Sequence, residues 1–228
     1  MTFVFSGSCM NYYEPEALAE LMETHPYLFP GYKRPSSFNK ADPAKINQGH
    51  LFTDEFGVVW EEAIDGIRGV VKKHPLADWD AFGDYKLPDV PAFDIKKMKA
   101  DVQAQKNAGF LTSAGLEHGH TFLRLIDLCG YEKVLCDLYD NDENMTRLLA
   151  MLEEYNSAFI DCYVKAGFDM ISYPEDLGMQ VGPMISPDLF RRHIKPVYSR
   201  MMKPARDAGS IIHMHSDGDI RALADDLI

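Results

Sequence analysis

"SIIHMHSDGDI", residues 210–220, packs an apolar run, two histidines and two aspartates into one short stretch. Read as a strand, 210–215 sends His213 and His215 to one face and Ser210, Ile212 and Met214 to the other, because side chains alternate along extended backbone. The polar SDGD after it then turns towards a helix, and the stretch becomes one βα unit. Two imidazoles on one face at a strand's carboxyl end, followed by Asp217 in the turn, form a ligand set that suits zinc. The other reading is a core histidine bonded to a neighbour and a solvated turn in which Ser216, Asp217 and Asp219 cap the next helix.

The same rhythm recurs along the chain. "TFVFSGS" (2–8), "FLTSAG" (110–115) and "DMISY" (169–173) also read as short strands that lead through a polar turn into a helical pattern. Between the second and third strands, Met145, Leu148, Leu149, Leu152, Tyr155, Phe159 and Tyr163 recur at helical spacing, bounded by an Asp140/Asn141 cap and a stop at Gly167. "GHTFLRLIDLCG" and "YEKVLCDLYD" predict two shorter helices ahead of it. After the third strand, Ser186 caps a helix with Pro187 in its first turn, and Pro196 and Pro204 are expected to kink or divide it. Residues 30–95 break the rhythm, and 56–75 predict an inserted β-ribbon around Gly66 and Gly69. "DIRALADDLI" begins an amphipathic helix and stops, so the expectation is a partial domain with exposed strand edges.

Composition narrows the function. A chain of 228 residues with net charge −12 repels nucleic acid and anionic membrane surfaces, so neither is an expected partner. Four cysteines without CxxC spacing and no signal-like leader point to a soluble protein of the reducing cytoplasm.

In a parallel βα architecture ligands meet the carboxyl ends of the strands. The four turns there contain no Arg or Lys; they carry Cys9, Tyr12, Tyr13, Glu117, His118, His120, Glu175, Asp176, His213, His215, Asp217 and Asp219. Such a mouth suits a metal ion or proton transfer and a small-molecule substrate, and grips polyanions poorly. The adjacent carboxylates Glu175 and Asp176 are expected to raise one another's pKa, which marks them as catalytic candidates. Tyr12, Tyr13, Glu117, His118, His120 and Gln180 are candidates for substrate binding. Glu117 and His118 also read as a first-turn acid and a surface residue, and Cys9 as a small buried side chain. Asp54 and Trp60 fit the ribbon's own packing, with Asp54 also a catalytic candidate.

"FTDEFGVVWEE", "HPLADWDAF", "GFDMISYPEDLG", "ISPDLFRRHIKPVYSRMMKPARDAG" and "HSDGDI" together resemble, in order, the uroporphyrinogen decarboxylase superfamily. That resemblance implies a (β/α)8 TIM barrel, here incomplete: about the first four βα units in one partial domain, 1–228, with 30–95 inserted. One branch of the family resembles a cofactor-free decarboxylase of porphyrin biosynthesis. Its Arg-rich RQAGR element has no counterpart here, Leu125 falls near its substrate-facing Tyr, and Asp54 matches its Asp. The other branch consists of cobalamin-dependent methyltransferases with an H-x-C-G zinc element. "HSDG" matches that spacing with His215 as ligand and Asp217 in place of Cys, a harder oxygen donor; His213 is the alternative partner of His215.

The resemblance therefore implies a methyltransferase-like enzyme first, with zinc at His215 and Asp217, Glu175 or Asp176 as a further ligand or proton carrier, and a corrinoid carried by a partner protein. The runner-up is decarboxylation with Asp54 at the substrate's pyrrole N–H groups and no cofactor. A non-catalytic binding protein or inactive fragment is the third reading. A homodimer is the oligomer considered.

Overall fold

The computed structural model describes residues 13–37, 49–62 and 69–228. The strand expected at 2–8, with Cys9, Tyr12 and Gly66, lies outside the described residues. The chain divides into two compact units, Met1–Lys73 and His74–Ile228.

In the first unit, helix α1 (Pro15–Thr24) starts on a proline, whose missing N–H costs nothing there, and buries Leu18 and Ala19. The ribbon is an antiparallel sheet of β1 (Leu51–Thr53), β2 (Val59–Glu61) and β3 (Val70–Lys73) in sequential order. Asp54 organises its first turn. One carboxylate oxygen accepts from the N–H groups of Phe56 and Val58 at 3.0 and 2.9 Å, and the other from the indole N–H of Trp60 at 2.9 Å. The ribbon expected at 56–75 is present, and it recruits 51–53 as a further strand.

The second unit opens with α2 (Ile95–Asn107), capped by the Asp94 carboxylate on the Lys97 N–H. Then follow β4 (Ser113–Gly115), α3 (Phe122–Cys129), α4 (Tyr131–Asp140), α5 (Glu143–Ala166) and β5 (Met170–Pro174). A small hairpin of β6 (Gly178–Met179) and β7 (Gly182–Pro183) leads to the helical turn α6 (Pro187–Leu189), a π-helical stretch Phe190–Ile194, and α7 (Lys195–Asp207). β8 (Ile211–His215) and α8 (Ala224–Leu227) end the chain described. The parallel sheet runs β4, β5, β8, pairing Gly115 with Ser172 and Ser172 with His213.

Three of the four expected βα strands are thus in place, although β4 begins at Ser113 and leaves Phe110 and Leu111 exposed. The architecture is a mixed α/β fold with a parallel sheet. Among the described residues the sheet does not close into a barrel. Ile171 and Tyr173 are fully buried on the helix-covered side, whereas Ile211 on the other face of edge strand β8 is 53% exposed. α5 supplies much of the core through Met145, Leu148, Leu149, Leu152 and Ile160. Each such side chain contributes about 2 kcal/mol by leaving water.

One helix boundary differs from expectation. The cap of α5 is Asp142, whose carboxylate accepts from Asn144 and Met145 N–H groups. Asn141 instead adopts the left-handed conformation that ends α4, so it cannot serve as the cap of the next helix. Pro196 sits in the first turn of α7, after the π-helical stretch, and divides the long pattern as expected; Pro204 lies inside α7, which continues to Asp207. Among the described residues no helix is long and apolar enough to cross a membrane.

Candidate metal centre

Because β4, β5 and β8 run parallel, their carboxyl ends share one edge, and three side chains converge there. His118 follows β4, Asp176 follows β5, and His215 is the last residue of β8. One donor atom from each lies within 4.8 Å of the others. The Nε2 of His118 is 3.3 Å from Oδ2 of Asp176, and the Nε2 of His215 is 3.6 Å from its Oδ1. Ligands about 2 Å from a tetrahedral zinc lie roughly 3.3 Å apart, so two imidazole nitrogens and a carboxylate at these spacings fit the ion. Asp217 adds a second carboxylate, with Oδ1 3.5 Å from the Nε2 of His215, and its own backbone N–H donates to Asp176 at 2.8 Å.

The turns that carry these residues are tied together. The Leu177 N–H donates to the Ser216 hydroxyl at 2.9 Å, and Met179 bridges to Asp219. Gly178 and Gly218 cross so closely that a Cβ on Gly178 would stand 2.5 Å from the Gly218 carbonyl carbon. Only glycine fits at both places, and Gly218 also has a positive φ of 79°.

Glu175, one residue from Asp176, engages different partners. It is fully buried, and its carboxylate accepts from the N–H groups of Thr121, Phe122 and Leu123 at 2.5, 2.8 and 3.2 Å, where α3 begins. These donors have no intrahelical partner, so the carboxylate completes the helix start. Burial nevertheless pushes the Glu175 carboxyl up to about 7, against the pull of those N–H groups and the Tyr198 hydroxyl. A raised pKa was expected; its main cause is burial, not the neighbouring carboxylate. His120 is buried beside it, with Nδ1 2.6 Å from the Thr121 hydroxyl and 3.7 Å from Glu175. Burial, then the charges of His118 and Arg124, bring the His120 imidazole down to about 3. Its Nε2 has no hydrogen-bond partner among the described residues.

The remaining candidates fall elsewhere. His213 points to the same face as His215, but its Nδ1 is 2.9 Å from the Ser172 hydroxyl and it is not among the three converging residues. Glu117 meets Arg124 at 3.3 Å, and Gln180 is exposed in the β6–β7 turn. Tyr13 is 59% exposed in the first unit, where Asp54 also lies. Sequence reasoning passed over Arg124, which is 2% exposed and also faces Asp127 at 3.8 Å. A lone arginine within the apolar "FLRLIDL" was the available signal.

The comparisons with known proteins bear on the fold. No curated protein matches the chain. A solved "methyltransferase from Methanosarcina mazei" superposes with a TM-score of 0.52 at 17% identity, over 95% of this chain and 60% of that one. At that identity the likeness shows the fold, and the chain spans about three fifths of its neighbour's length. The family profile described as Uroporphyrinogen decarboxylase (URO-D) matches residues 122–227, from the start of α3 to the last residue of α8. This region of the chain is therefore similar to the uroporphyrinogen decarboxylase family, in line with the ordered segments read from the sequence.

Proposed function

We propose that the chain is a metal-dependent enzyme of this superfamily, of the methyltransferase-like type, in which His118, Asp176 and His215 hold a zinc ion. The observation that carries the reading is the convergence of their three donor atoms at one sheet edge. Asp217 lies close enough to complete the set or to orient His215. When bound, the ion supplies Lewis acidity that favours the anionic form of a coordinated water or thiol. The chain's own residues do the rest: the crossed glycines hold the two turns in register, and Glu175 fixes the start of α3. The methyl donor or acceptor is small, with a corrinoid protein as the methyl carrier. The M. mazei neighbour's name supports the choice of branch.

Metal content of the purified protein tests the reading. Near-stoichiometric zinc, lost in both His118→Ala and His215→Ala, is the expected result. A metal-free wild-type protein after growth in zinc-supplemented medium overturns it. Conversion of uroporphyrinogen to coproporphyrinogen by that metal-free protein would move the assignment to the decarboxylase branch.

A further inference from the structure

We propose that Ser172 and His213 form a hydrogen-bonding subsite for the tail of the molecule whose head occupies the metal centre. The assignment rests on the metal reading above and adds a substrate class to it: a small ligand with a metal-binding head and a neutral hydroxyl or amide several bonds away. His213 and His215 are two residues apart on β8, so their side chains share a face and stand about 7 Å apart along the strand. Ser172 is the register partner of His213 on β5, and their side chains meet at 2.9 Å. That contact uses Nδ1. The other ring nitrogen makes no hydrogen bond among the described residues and remains available to a ligand as donor or acceptor.

The neighbouring strand leaves room for it. Gly115 is the register partner of Ser172 on the other side, and a Cβ there would lie 2.9 Å from the Ser172 Cβ. The row Gly115, Ser172, His213 is therefore bare on one side and polar on the other. One step further from the metal centre the row is Ser113, Met170 and Ile211, with two apolar side chains. From the sheet edge inward, this face offers metal ligands, a polar pair and an apolar floor. None of the three strands carries Lys or Arg, so the polar pair suits a neutral group better than an anion. His213 is exposed, which leaves the pair accessible instead of locked in a core.

The test uses the whole protein loaded with cobalt(II), whose thiolate absorption reports occupancy of the metal. The probes are 4-mercaptobutan-1-ol and butane-1-thiol, which differ in the terminal hydroxyl. One net hydrogen bond predicts that the hydroxythiol binds roughly fivefold to tenfold more tightly. Ser172→Ala and His213→Phe should each bring the two affinities within about twofold, with cobalt content and butane-1-thiol affinity unchanged. Equal affinities in the wild type, or a preference that survives both substitutions, overturns the subsite while leaving the metal centre intact. A wild-type protein that binds no cobalt overturns the metal reading, and the subsite with it.

Discussion

The two ends of strand β5 carry two aspartates in opposite circumstances. Before its first residue, Asp169 is fully provided for: Lys106 at 2.7 Å, the Thr112 N–H at 3.0 Å and the Thr112 hydroxyl at 2.8 Å. Beyond its last residue, Asp176 has one short backbone N–H and two imidazoles at 3.3 and 3.6 Å. Those imidazole separations exceed good hydrogen bonds and equal the spacing of ligands around a small cation. The amino edge of the sheet satisfies its aspartate within the fold, and the carboxyl edge carries the three residues proposed as ligands, the edge where βα folds place their sites.

Exchanging the two aspartates for asparagine should separate these roles. Asp176→Asn is expected to weaken zinc binding by about a hundredfold or more while the melting temperature of the metal-free protein stays close to wild type. Asp169→Asn should do the reverse, lowering the melting temperature and leaving metal affinity alone. If Asp169→Asn releases the metal, or Asp176→Asn destabilises the metal-free protein as much, the division between the edges is wrong.

A sharper contrast lies between Glu175 and Asp176. The Glu175 carboxyl has a folded-state pKa near 7 against an ordinary 4.5. Because the folded state resists its ionisation, the group's contribution is most favourable below pH 4.5 and falls as pH rises to 7. The drop amounts to about 3 kcal/mol. Urea unfolding of wild type and Glu175→Gln, both metal-free, should give a stability difference that changes across this window and is flat outside it. His120, Tyr198 and the Thr121 to Leu123 N–H groups face the carboxyl. His120, held neutral down to about 3, gives a slope of the opposite sign below pH 6.5, present in both proteins and removed by the subtraction. A difference independent of pH would show that Glu175 is ionised throughout, held by its three N–H donors.

Asp169 gives the opposite dependence. Lys106 and Thr112 hold its carboxyl down to about 2, from 3.8 in the unfolded chain. Its stabilisation is therefore complete above about pH 4 and lost as pH falls through 2. The melting-temperature gap between wild type and Asp169→Asn should narrow over that range. A constant gap would trace the loss to packing instead of charge.

How much of this could be read from the sequence follows from how local each signal is. β5, β8 and the ribbon were legible because apolar runs, turns and alternation lie within a few residues. The same-face placement of His213 and His215 followed from the strand period alone. The approach of His118 to Asp176 and His215 was not legible: sheet register brings these residues together, and no local pattern encodes that register. Glu175 was singled out for its neighbour Asp176, yet what sets its pKa is burial against α3, a tertiary fact. The cap of α5 shifted to Asp142 because Asn141 was already needed to end α4.

The smallest effect expected concerns Asp217, the residue that stands where the resemblance would place a cysteine ligand. Its side chain is 81% exposed, with Oδ1 3.5 Å from His215, while its backbone N–H already holds Asp176. Substitution of the side chain leaves that N–H in place, so Asp217→Ala should cost about tenfold in zinc affinity and leave stoichiometric binding at saturating metal. Asp217→Cys distinguishes a ligand from a neighbour. A thiolate that reaches the ion should restore or exceed wild-type affinity and give cobalt(II) a sulfur charge-transfer band; its absence would leave Asp217 as an orienting partner and confine the centre to His118, Asp176 and His215.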